Sequence, residues 1–147
     1  MEYKPLSEIQ TVAYVTRGWG AAKKMSRRER LERWAILLEQ DPTRHLKPLV
    51  RVEFLPRRER EMLRRDESPL TVAYADSMLR EQGLTSDCLG AAMDFFDLSD
   101  REAHYLLCDC HYHGGMTMTP DTVSKRIRGV ASRVTIRELW DRAKALF

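Results

Sequence analysis

Apolar residues in this chain return every three or four positions, segment after segment, and most such runs open on a residue suited to capping a helix. Leu31, Trp34, Ala35 and Leu38 line one side of a run that starts at Ser26, three residues before Glu29, and stops at Asp41-Pro42. In a Ser-x-x-Glu start the serine hydroxyl accepts from the third backbone amide while the glutamate reaches back to the first, so two orphan donors are satisfied together. Alternation of the kind a half-buried strand needs is confined to the short run from Leu49 to Phe54, and one strand cannot hold itself together. The pattern predicts an all-α fold: a compact single domain of about seven short helices over residues 1–147, with residues 1–24 as a peripheral N-terminal extension.

The remaining helices follow from the same signals. A weak pattern through Ile9, Val12 and Ala13 fades at Gly18-Trp19-Gly20, and Pro56 suits the first position of a short, charged helix that ends near Leu63. Ser68-Pro69 opens a helix expected to run to Gly83 with Leu70, Ala73, Tyr74 and Met78 on one face. Leu89, Ala92, Met93 and Phe96 form the next, and a second capping box at Ser99 and Glu102 starts another with Ala103, Leu106 and Leu107 inward. Residues 109–119 break the pattern. Thr119-Pro120 then opens a helix through Val123, Ile127 and Val130, and Thr135 with Glu138 caps a last one carrying Ile136, Leu139, Trp140 and Ala143. The expected core is Leu31, Trp34, Leu38, Leu70, Tyr74, Met78, Leu89, Met93, Phe96, Leu106, Leu107, Val123, Ile127, Leu139 and Trp140.

Composition excludes some classes. With 43% apolar and 32% charged residues the chain has enough hydrophobic material to offset its conformational entropy, which argues against global disorder. It holds no uncharged apolar run near the ~20 residues that cross a bilayer, and the acidic, polar start lacks the pattern of a signal peptide, so a cytoplasmic protein without membrane association is expected. Cys88, Cys108 and Cys110 are an odd number at irregular spacing, as for reduced thiols rather than a disulfide framework. The net charge of +3 is unevenly spread: +5 over residues 1–68, −7 over 69–121 and +5 over 122–147. Self-complementation, with basic helices flanking an acidic middle, accounts for this more simply than a nucleic-acid surface.

Two segments carry candidate chemistry. His104, Cys108, Cys110, His111 and His113 gather thiolate and imidazole, the ligands zinc prefers, at a helix end, with Cys88 within reach from the preceding helix. Their spacing matches no established pair of zinc knuckles, and a Cys-His nucleophile oriented by Asp109 would need neighbours in sequence to adopt a geometry normally assembled from separate segments. The plainer reading packs Cys108 inside and leaves the histidines in a polar loop, and on it the protein is no enzyme and needs no cofactor. The second segment is the C-terminal basic helix, where Lys125, Arg126 and Arg128 would contact nucleic acid, supported by N-terminal arginines such as Arg27 and Arg33. Residues 98–102 and the pair Thr122-Val123 are superficially similar to the helix-turn-helix domain of quorum-type response regulators. The helix between those stretches in that family has no counterpart here, where the interval is short and holds Gly114-Gly115. The sequence therefore favours a non-catalytic protein-interaction or regulatory module, joined to a protein partner or to a second copy through an exposed aromatic or Met-bearing face. A nucleic-acid-binding protein and a metal- or thiol-dependent site at residues 104–113 stand as the alternatives.

Overall fold

The computed structural model describes residues 23–50, 55–112, 118–133 and 135–146, so the weak helix expected at Ile9–Ala13 lies outside the described residues. In chain order these residues form α1 (Arg27–Glu39), α2 (Arg57–Glu61), α3 (Pro69–Tyr74), α4 (Ser77–Glu81), α5 (Leu89–Phe96), α6 (Asp100–Leu107), a 3-10 turn (Asp109–His111), α7 (Pro120–Ala131) and α8 (Ile136–Leu146). The fold is all-α, and among the described residues the extended backbone amounts to one isolated parallel bridge between Leu49 and Cys108. No helix among them is long and apolar enough to cross a membrane.

Both capping boxes form as the sequence implies. The Ser26 hydroxyl accepts from the Glu29 amide at 3.1 Å and the Glu29 carboxylate accepts from the Ser26 amide at 2.8 Å; Ser99 and Glu102 repeat the exchange at 3.1 and 3.0 Å. Gly83 ends α4 with φ at 121°, a left-handed conformation that costs a residue without Cβ little.

Packing is built around α1. Its Leu31, Trp34, Ala35 and Leu38 are buried, and its longest contact is with α7, which buries Val123, Ile127 and Val130. Trp34 stacks on Phe96 with ring centroids 4.6 Å apart and donates its indole N–H to the Pro69 carbonyl at 2.9 Å, so its polar edge is satisfied inside the core.

The expected core needs correction at four positions. Tyr74, Met78, Leu139 and Trp140 are exposed. The helix expected from Pro69 to Gly83 is two helices, because Asp76 turns its carboxylate onto the Leu79 amide at 3.1 Å and caps α4 afresh. Within α3 the inward side carries Leu70, Val72 and Ala73 and leaves Tyr74 outside, and the restart then sets the phase of α4 so that Leu79 faces the interior and Met78 faces water. Leu139 and Trp140 are outside because α8 buries none of its residues. The segments between helices contribute core residues that periodicity does not mark, among them Leu46, Leu49, Leu84 and Leu98.

The uneven charge is resolved largely between segments. Arg27 meets Glu102 at 3.3 Å, Arg33 meets Asp76 at 2.7 Å and Arg64 meets Asp87 at 2.9 Å, each joining the basic N-terminal segment to the acidic middle.

Candidate functional site

Backbone pairing builds the Cys/His segment into a compact turn. α6 ends at Cys108, whose extended backbone lies beside Leu49: the Leu49 amide donates to the Leu107 carbonyl at 2.8 Å and the Asp109 amide donates to the Leu49 carbonyl at 2.9 Å. This bridge seats the Cys108 side chain in the core, where it is 1% exposed. The chain then folds back, with the His111 amide donating to the Cys108 carbonyl at 3.2 Å and the Tyr112 amide to the Asp109 carbonyl at 3.0 Å. The 3-10 turn thereby carries Cys110 and His111 over His104 in the last turn of α6.

Three candidate ligands converge. His104 Nδ1 lies 3.2 Å from His111 Nε2, and Cys110 Sγ lies 3.8 Å from His104 Nδ1 and 3.7 Å from its Nε2. One donor atom from each of the three falls within 4.8 Å of the others. The two imidazoles stand edge to face with centroids 5.1 Å apart; His104 and Cys110 are half-buried and His111 is exposed. Of the other residues the sequence nominates, Cys108 points into the core, Cys88 stands apart at the start of α5, and His113 lies outside the described residues.

An arginine from α7 braces this turn. Arg126 donates through Nη1 to the Tyr105 carbonyl and through Nη2 to the His111 carbonyl, both at 2.9 Å. Its guanidinium lies over the rings of Tyr105 at 4.4 Å and Tyr112 at 4.1 Å, where the cation meets the negative faces of both rings. Tyr112 donates its hydroxyl to the Leu106 carbonyl at 2.7 Å, and burial pushes that hydroxyl up to about 12, so it stays neutral and keeps donating. The sequence marks Arg126 only as a cation on a basic helix. Its bracing role is invisible there, since Tyr105, His111 and Tyr112 reach it only after α7 docks.

The other basic residues of α7 are also engaged. Arg128 donates through Nη2 to Glu39 at 2.6 Å and through Nη1 to Glu32, tying α7 to α1. The Arg128 guanidinium holds the Glu39 carboxyl below its usual range. Lys125 pairs with Asp121 at 3.2 Å on the exposed side of the same helix.

α8 offers a different kind of feature. Thr135 accepts from the Glu138 amide at 3.1 Å and starts the helix, and Arg137 approaches Asp97 at 4.0 Å. Ile136, Leu139, Trp140 and Leu146 then stand on one side with 74%, 54%, 63% and 81% of their surface exposed. The chain matches no known protein family, no curated protein and no solved structure.

Proposed function

We propose that this protein is a non-catalytic protein-interaction module whose α8 is the docking element, and that its partner on this face is a second copy of the chain. The observation that carries the reading is the exposed apolar stripe of Ile136, Leu139, Trp140 and Leu146 on a helix that buries nothing. An isolated helix of 11 residues is marginal in water, so α8 gains its stability from whatever covers that stripe. Contiguous aromatic and aliphatic surface is the usual mark of a contact face.

The stripe is apolar along its length, so a second α8 related by a two-fold axis covers it with the same side chains and both copies bury the same surface. Duplex binding through Lys125, Arg126 and Arg128 is less well supported, because Arg126 and Arg128 hold internal carbonyls and carboxylates that phosphate would have to displace.

Light scattering of the full chain across a concentration series tests the reading. A dimer is expected, and Leu139→Ala with Trp140→Ala is expected to return it to monomer while helical content is kept, because neither side chain is buried within the monomer. A wild-type chain that stays monomeric at every concentration overturns the proposal, and so does a dimer that the double variant leaves intact.

A further inference from the structure

We propose that His104, Cys110 and His111 form a binding site for a zinc-type divalent ion. The inference stands apart from the docking face, which involves none of these residues. Zinc takes imidazole nitrogen at about 2.0–2.1 Å and thiolate sulfur at about 2.3 Å in a tetrahedron, which places two nitrogens about 3.3 Å apart and a nitrogen and a sulfur about 3.6 Å apart. The 3.2 Å between His104 Nδ1 and His111 Nε2 and the 3.8 Å between Cys110 Sγ and His104 Nδ1 lie close to those edges. The third edge is bounded by the 4.8 Å within which all three donors fall.

The surroundings suit a site that takes up an ion without refolding. His104 is carried by α6, while Cys110 and His111 are carried by a turn anchored at both ends: by the Leu49 bridge before it and by the Tyr112 hydroxyl on the Leu106 carbonyl after it. Arg126 grips the His111 carbonyl at 2.9 Å, so the backbone that presents the imidazole is held from outside the ligand set. Thiolate with two imidazoles selects zinc, cobalt or copper over calcium or magnesium, which prefer oxygen. On binding, the Cys110 thiol gives its proton to solvent and both imidazoles act as neutral ligands. Cys108 takes no part, because its side chain is directed into the core. The competing account of the same contacts is a histidine–histidine hydrogen bond beside a bystander thiol, and it predicts no metal affinity.

Cobalt(II) is the probe. Added to the full, reduced, tag-free chain, it is expected to saturate at one equivalent with a thiolate-to-cobalt charge-transfer band in the near ultraviolet and visible bands of tetrahedral strength, all removed by zinc(II). Cys110→Ser is expected to abolish the charge-transfer band, and Cys88→Ser to leave it unchanged. Arg126→Lys, which keeps the charge and loses the fork, is expected to weaken cobalt binding by about 10-fold or more, as for loss of a supporting hydrogen bond around a metal site. A second readout needs no variant: one equivalent of zinc(II) is expected to slow alkylation of Cys110 in the wild-type chain and leave that of Cys88 unaltered, as read by peptide mass spectrometry. Absence of the charge-transfer band, its persistence in Cys110→Ser, or alkylation of Cys110 at the same rate with and without zinc overturns the proposal.

Discussion

Arg126 shows how far one residue's role departs from its type. A guanidinium on an amphipathic helix next to a lysine and another arginine reads as part of a cationic face, yet here it satisfies two carbonyls and lies over two tyrosine rings. Each hydrogen bond to a charged donor is worth more than a neutral one, and removing the donor leaves the Tyr105 and His111 carbonyls to find water. Arg126→Ala is therefore expected to lower the free energy of unfolding by about 2–3 kcal/mol. The measurement is the urea midpoint, and a change within experimental error would show that the cation contributes no stability. Arg126→Lys should recover only part of the loss, since an ammonium cannot bridge two carbonyls in a fixed fork.

Among the elements, the crossing of α2 and α5 has the tightest tolerance. A Cβ placed on Gly90 would stand 2.9 Å from both Cβ and the carbonyl oxygen of Glu61, so the last residue of α2 sits directly on the glycine. Replacing a helical glycine by alanine normally stabilises by about 0.5–1 kcal/mol through backbone entropy. Gly90→Ala is instead expected to destabilise by about 1–3 kcal/mol, because the backbone of α2 must move away. Gly129 in α7 has nothing within 4 Å of the same added atom, and Gly129→Ala is expected to stabilise by the ordinary amount. Thermal melts of the two variants under one buffer should move in opposite directions. Element starts were the most legible feature of the sequence, since a cap is a local exchange between a side chain and amides two or three residues away, as at Ser26, Ser68 and Ser99. The break at Asp76 was legible in principle from the same signal, but Tyr74 and Met78 continued the preceding periodicity and masked it.

Across the molecule, the charge imbalance along the sequence becomes a set of bridges that hold segments together. Arg33 and Arg64 keep the carboxyls of Asp76 and Asp87 below their usual range, chiefly through direct hydrogen bonds. A carboxyl depressed by folding adds stability that is complete above its unfolded value, near 4, and is lost as pH falls through its folded value. Stability is expected to be level near neutrality and to decline from about pH 5 downward. Asp76→Asn, which keeps a capping side chain and removes the charge, should lower stability at neutral pH and flatten that acid limb. Denaturant midpoints across the pH range check this, and an acid limb unchanged in Asp76→Asn would exclude the Arg33 pair as a source of the decline. What the sequence determined by itself was helical character, most helix starts and the apolar faces of α1, α5, α6 and α7, because these depend on spacing and on contacts a few residues long. Tertiary structure alone decided that His104, Cys110 and His111 converge, that Arg126 braces the turn that carries two of them, and that α8 turns its apolar side to solvent. Those outcomes depend on which distant segments meet, and the return of apolar residues along a chain carries no record of that.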